Sequence, residues 1–145
     1  MRIFLDTNVL VAASVRQHPH FDRADALLRR CAAGDDEGIV HAHSILEFHS
    51  AITQLPGGLA VPPAYVRVLL QEGLLPHVRC ATLDADGIVA VQKQAGERGI
   101  AGGAIYDLFH LAVAEREAVE RLYTFNTGHF RSLASPAMVD RIVAP

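Results

Sequence analysis

Ile3-Phe4-Leu5-Asp6-Thr7-Asn8-Val9-Leu10-Val11-Ala12-Ala13 is one apolar run broken once, by three polar residues. An apolar stretch that stops at Asp-Thr-Asn and restarts with helical character reads as a buried strand turning directly into a helix. In open α/β sheets the crevice beyond the carboxyl ends of the strands is where ligands bind, so a carboxylate at Asp6 is well placed for chemistry. The competing reading is structural: Asp6 or Thr7 caps the helix, since both are good N-cap residues. On this stretch alone the cap is favoured. Two further acids, Glu47 and Asp107, change that balance.

Outward from this stretch, the pattern alternates. Residues 2–6 read as a strand and 8–15 as a helix. A second helix over 20–33 is stopped by Gly34 and the acidic turn Asp35-Asp36-Glu37. A short strand begins at Gly38-Ile39-Val40. Ser44 then reads as the cap of a helix carrying Ile45, Leu46, Phe48, Ile52 and Leu55, with Glu47 closing a capping box. Pro62-Pro63 opens a helix to about residue 75. Cys80–Leu83 reads as a strand, Asp84 as the cap of a helix over 85–98, and Gly99 as its stop. Gly102-Gly103 precedes a helix over 104–117; strands follow at 121–125 and 138–143. Strands and helices at this spacing predict an α/β fold, with a mostly parallel central sheet of about 4–5 strands and helices on both faces. The length of 145 residues suits one domain, residues 1–145, with a proper core.

Composition narrows the class. Half the residues are hydrophobic, yet no stretch approaches the roughly 18 apolar residues of a membrane span. The chain is strand-like by residue 3 with no leader-like segment, so a cytoplasmic location is expected. Cys31 and Cys80 show no metal-ligand spacing and read as reduced core thiols. The net charge is −3, with 12 arginines and one lysine, Lys93, against 16 acids. A nucleic-acid partner would therefore need bound cations, or arginines gathered on one side. The pairs His18/His20 and His41/His43 lack cysteine or a helical i, i+4 histidine, so no structural zinc site is expected.

Asp6 sits at a strand end, and Glu47 and Asp107 each in the first turn of a helix, so three segments could bring three carboxylates into one crevice. Like charges there would repel and raise each other's pKa. A hard divalent cation removes that cost, because Mg²⁺ prefers oxygen ligands and keeps several waters. Such an ion can activate water and neutralise a phosphodiester, which points to metal-assisted hydrolysis. Taken singly, each acid has an equally good structural role: Glu47 in its capping box, Asp107 at the positive end of a helix dipole. Their joint occurrence among apolar neighbours is harder to explain as solvated surface charge. His110 lies on roughly the face of Asp107 and reads first as a packed core histidine.

The chain resembles a PIN domain, and most closely a toxin nuclease of the VapC family. The resemblance rests on the ordered set Leu5-Asp6-Thr7-Asn8-Val9-Leu10, Ser44-Ile45-Leu46-Glu47-Phe48, Gly103-Ala104-Ile105-Tyr106-Asp107-Leu108-Phe109-His110-Leu111-Ala112 and Leu122-Tyr123-Thr124-Phe125-Asn126-Thr127-Gly128-His129-Phe130. It implies a single PIN-like nuclease domain and a Mg²⁺- or Mn²⁺-dependent endoribonuclease, the toxin half of a type II toxin–antitoxin pair. Asp6, Glu47 and Asp107 would then be the metal ligands, directly or through water. Thr124 would support the site and Asn8 would fix the first turn. Relatives often carry an acid where this chain has Asn126 or His129. An amide carbonyl offers oxygen without charge, which implies one firmly held metal and a second recruited at most with substrate. The resemblance also implies RNA as substrate, a cognate antitoxin, a homodimer and a toxin–antitoxin hetero-oligomer. Apolar surface on the helices over 20–33 and 43–55 would suit the antitoxin. Arg16, Arg23 and Arg98 would suit RNA phosphates.

Three rival readings remain. Asn126 in place of an acid keeps open a PIN-like module that binds RNA or protein but no longer cuts. A phosphoacceptor receiver domain would want a lysine beside the acids, and Lys93 falls mid-helix. A haloacid-dehalogenase-type phosphatase would want an aspartate two residues after the first, where Asn8 stands.

Overall fold

The computed structural model describes residues 1–145. Strand β1 (Arg2–Leu5) runs into helix α1 (Thr7–Ser14), followed by α2 (Phe21–Ala33), β2 (Glu37–His41), α3 (His43–Ile52) and α4 (Pro63–Val68). A π-helical turn (Leu69–Leu74) and a 3-10 turn (Leu75–His77) lead to β3 (Val78–Ala81). Then come α5 (Ala85–Glu97), α6 (Ala104–Arg116), β4 (Arg121–Tyr123), α7 (Thr127–Leu133), α8 (Pro136–Val139) and β5 (Ile142–Val143). The five strands form one sheet in the order β3-β2-β1-β4-β5. Every pairing is parallel, so the expectation of a mostly parallel sheet sharpens to an all-parallel one.

β1 lies at the centre, which explains its unbroken apolar run: a strand covered on both faces has no solvent side to make polar. Its side chains alternate between two cores. Ile3 and Leu5 pack with α1, α2 and α3 and the segment around Val66 and Leu74. Phe4 packs on the other face with α6 and α7, through Leu111, Val113, Ala114 and Phe130. Val91 and Ala95 of α5 join α6 at Leu108 in a smaller third cluster. Gly38 sets the distance between α2 and β2. A Cβ there would stand 2.7 Å from the Cys31 sulfur and 3.0 Å from Val78 Cγ1, so only glycine lets the helix come this close.

Several sequence expectations need correction. The predicted strand at Cys80–Leu83 starts two residues earlier, because β3 pairs along β2 from Gly38↔Val78 to His41↔Ala81. β3 is an edge strand, and Cys80 is exposed rather than a core thiol; Cys31 is buried as expected. The predicted strand over 138–143 is cut to its last two residues: Met138 and Val139 finish α8, Asp140 and Arg141 form a turn, and only Ile142–Val143 pairs with β4. α7 was not foreseen at all. The capping box does not form either. Ala42 occupies the N-cap position with helical backbone angles, and the Ser44 hydroxyl turns inward, buried and without a partner. Glu47 is thereby released from helix capping. Of the apolar surface expected on two helices, α2 exposes no large hydrophobic side chain and α3 only Leu46; apart from Met1, the others lie on α4, α5 and α6, at Tyr65, Val68, Ile88, Val89 and Tyr106. No helix is long and apolar enough to cross a membrane.

Candidate active site

At the carboxyl end of β1 the chain turns through Asp6, which has extended backbone angles and caps α1 by accepting the Thr7 N–H on Oδ1 at 2.7 Å. The cap reading from sequence is therefore correct, but it uses one carboxylate oxygen only. Register does the rest. Leu5 pairs with Tyr123, and the Asp6 N–H continues the ladder to the Tyr123 carbonyl at 3.0 Å. Thr124 is thus delivered beside Asp6, where its hydroxyl donates to Oδ2 at 2.7 Å. That hydroxyl in turn accepts from the Asn8 amide at 3.1 Å and from the Asn126 N–H at 3.0 Å. Asn8 also accepts the Phe125 N–H at 3.2 Å. Asn8 therefore orients Asp6 through Thr124, which is fully buried and has no hydrogen-bonding capacity left for anything else.

Asp6, Glu47, Asp107 and Asn126 line one crevice of about 680 Å³, together with Thr7, Asn8, His18, Ser50 and Ala51 at the end of α3 and Gln54 and Leu55 just past it. Asp6 comes from the end of β1 and Asp107 from the first turn of α6, but Glu47 sits in the second turn of α3 rather than the expected first, because the helix already starts at His43. Thr124 stands behind Asp6 rather than on the crevice wall. Asn126 is exposed at the start of α7 and makes no side-chain cap. One turn on, His129 reaches back, its Nε2 at 2.9 Å from Asp107 Oδ2.

The electrostatics separate the three carboxyls. Burial raises the Asp6 pKa from 3.8 to about 6, against the charge of His110 and the Thr124 and Thr7 hydrogen bonds, which lower it; Asp107 adds to the rise. Asp107 is also raised, by burial first and by Glu47 as a like charge. Glu47 ends below its ordinary value: burial would raise it, but the hydrogen bond and charge of His110 win. His110 is raised in spite of its burial, because it bonds Glu47 and faces Asp6 and Asp107 as well. Behind it, burial and the His110 and His43 charges push His41 down to about 3.

From sequence, His110 reads as core packing and His41 only as a histidine outside any zinc pattern. Both are wholly buried, and they touch: His110 Nε2 lies 2.6 Å from Glu47 Oε1, and the two Nδ1 atoms are 3.1 Å apart. These residues are 69 apart in sequence, and no local pattern links them. His18, another wall of the crevice, gave no signal beyond its type. No arginine lines the crevice. Arg98 donates from Nη1 to the Leu133 carbonyl at 2.9 Å, and Arg23 lies over the Phe125 ring at 5.8 Å. Arg2 and Arg79 pair with Glu37 at the amino ends of the strands, and Arg79 reaches Glu117 as well.

A cation would find oxygen donors and no thiolate here, the chemistry that Mg²⁺ and Mn²⁺ prefer. No three His, Cys, Asp or Glu side chains stand close enough to enclose an ion by themselves. An ion here would take fewer than three of these carboxyls directly and the rest through water, which Mg²⁺ retains readily.

A family model described as PIN domain matches residues 3–135. No curated protein matches the chain. Among solved structures, VapC20 of Mycobacterium tuberculosis, a sarcin–ricin loop cleaving toxin, is similar with a TM-score of 0.65 at 17% identity, over 99% of each chain. VapBC2 from Rickettsia felis, bound to a DNA fragment from its promoter, gives 0.64 at 16% identity over 100% of this chain and 98% of that one. FitAcB from Neisseria gonorrhoeae gives 0.58 at 21% identity, over 99% and 96%. At these identities the likeness is one of fold.

Proposed function

The chain belongs to the PIN-domain family, and on that premise we propose that it is a metal-dependent endoribonuclease, the toxin half of a type II toxin–antitoxin pair of the VapC kind. The observation that carries the reading is the meeting of Asp6, Glu47 and Asp107 in one crevice, two of them with raised pKa values. Acids held at such a cost have a use for a cation. Asp6, Glu47 and Asp107 would hold it, with the Asn126 carbonyl as a neutral fourth donor. Bound there, Mg²⁺ or Mn²⁺ supplies charge neutralisation at a phosphodiester and a water acidic enough to act as nucleophile near neutral pH.

The chain's own groups do the rest. Thr124, held by Asn8 and the Asn126 N–H, fixes Asp6 in one orientation. His110 holds Glu47 ionised. His129 stands against Asp107, placed to meet the negative charge of a phosphate. With net charge −3 and no arginine on the crevice wall, RNA would depend on the cation to approach. The partners we propose are RNA, a cognate antitoxin and a second copy of the chain, residues 1–145 acting as a single nuclease domain. The exposed Leu46, Ile88, Val89 and Tyr106 offer apolar surface for protein contacts.

One observation favours a second reading, a PIN-like module that binds without cutting: Asn126 lacks a charge, and His129 already pairs with Asp107. Cleavage of total RNA by the purified chain, with Mg²⁺ or Mn²⁺ and with EDTA and Asp6→Asn controls, decides between them. Discrete fragments that vanish in both controls support the nuclease. Intact RNA across a wide range of metal concentrations supports the binding module.

A further inference from the structure

Each of the three acids is held differently. Asp6 is fixed by its own turn and by Thr124, and Asp107 leans on His129. Glu47 has a longer stem and one more rotatable bond, so it most needs something to hold it. Its Oε1 takes the His110 Nε2 at 2.6 Å, with Thr7 Oγ1 at 3.4 Å and His43 Nε2 at 3.9 Å. Its Oε2 has no partner among the protein's hydrogen bonds.

His110 does not stand alone. Its Nδ1 lies 3.1 Å from His41 Nδ1 at the end of β2, and His41 Nε2 lies 3.3 Å from Thr82 Oγ1 just past β3. The ring of Phe109 stands edge-on against His41, centroids 4.1 Å apart, and that of Phe4 edge-on to His110 at 6.0 Å. An unbroken line of hydrogen bonds thus runs from the crevice through two wholly buried imidazoles to Thr82. Whichever way the two Nδ1 atoms share their proton, His110 Nε2 must be the donor to Glu47, because a carboxylate only accepts. A pair kept only to fill space would be cheaper as apolar side chains, since buried polar groups must find partners.

We propose that His110 and His41 are positioning residues for Glu47: the imidazole pair ties up Oε1 and leaves Oε2 as the oxygen available to a divalent cation. This rests on the nuclease reading above. It assigns the pair no contact with substrate.

The test is Mn²⁺ binding by calorimetry to the wild-type chain and to His110→Leu, His110→Gln, His41→Leu and Glu47→Gln, each checked for folding by circular dichroism. Removing a group that orients a metal-binding carboxylate typically weakens binding about 10- to 100-fold, and His110→Leu should fall in that range. His110→Gln, whose amide nitrogen can replace Nε2, should recover most of the loss. His41→Leu, which removes the backing but not the donor, should fall between. On RNA, His110→Leu should lower kcat with KM within about twofold, and added Mn²⁺ should restore rate, which a packing defect would not allow. Folded His110→Leu that binds Mn²⁺ within about twofold of wild type overturns the proposal. Should His110→Leu fail to fold, His41→Leu carries the decision by the same criterion. A wild-type chain that binds Mn²⁺ no better than Glu47→Gln sinks the cation reading itself, and the positioning role with it. Loss of the positioning role alone leaves wild-type binding intact.

Discussion

Asp6→Asn offers the sharpest test of whether the crevice is built for a cation. Asp6 is 5% exposed, and burial is the largest cause of the rise in its pKa from 3.8 to about 6. Keeping it ionised in the folded, metal-free chain costs about 3 kcal/mol, at about 1.4 kcal/mol per tenfold change in proton affinity. The folded state binds this proton more tightly than the unfolded one. The penalty is therefore absent below about pH 4, grows as pH rises toward about 6, and is constant above that. Asparagine never pays it. The amide can still accept the Thr7 N–H, but it leaves the Thr124 hydroxyl proton without an acceptor, a loss of about 1–2 kcal/mol. At pH 7 in EDTA the variant should therefore be more stable than wild type by about 1–2 kcal/mol, or a few degrees in Tm. At pH 4 it should be less stable by a similar amount. Urea unfolding at pH 4, 5, 6 and 7, at fixed ionic strength, reads the crossover directly. Mg²⁺ added at pH 7 should stabilise wild type and leave the variant unmoved. A variant weaker than wild type by the same margin at every pH would mean that Asp6 is a helix cap and nothing more, and the physical case for a cation would go with it.

Other outcomes follow from the same geometry. Glu47→Gln and Asp107→Asn should each lower RNA cleavage roughly a hundredfold at fixed Mg²⁺, about 2.7 kcal/mol of barrier, with melting temperature little changed; activity within threefold of wild type would remove that residue from the site. Asn126→Asp returns a charge to the crevice wall, so the Mg²⁺ concentration for half-maximal cleavage should fall several-fold, and a rise would count against Asn126 as a donor. Gly38→Ala sets a methyl against the Cys31 sulfur and should cost about 1–3 kcal/mol in urea unfolding. Cys31→Ala in the same chain should give back part of that loss, and simple additivity of the two changes would show that the contact is not tight.

What could be read from sequence was what local pattern controls. The run through Asp6 places a strand, a turn and a helix in order, Gly34 ends α2 with a positive φ, and Asp84 caps α5 by accepting the Gly87 N–H. Parallel strands then bring the amino-terminal halves of α3 and α6 to the carboxyl edge of the sheet, so the meeting of the three acids could be argued before any coordinates. The misses have tertiary causes. Ser44 looked like a cap because its spacing to Glu47 is right, but the end of β2 carries Ala42 into the cap position and turns Ser44 inward. α7 and α8 hide in a stretch broken by Gly128 and Pro136, where weak helix formers are held by packing of Phe130, Leu133 and Met138. The contact of His41 with His110 joins the end of β2 to α6 across 69 residues, and no periodicity encodes that.

The two thiols give the chain an internal clock. Cys80 stands open on the edge strand, whereas Cys31 is sealed behind Gly38 with its thiol pushed up to about 11 by burial. Only the thiolate is alkylated, so Cys31 should resist modification until α2 lifts from β2. In a time course followed by mass spectrometry, the first adduct marks solvent access and the second marks opening of that seam. The lag between them times a motion of the native chain without any label having been engineered into it.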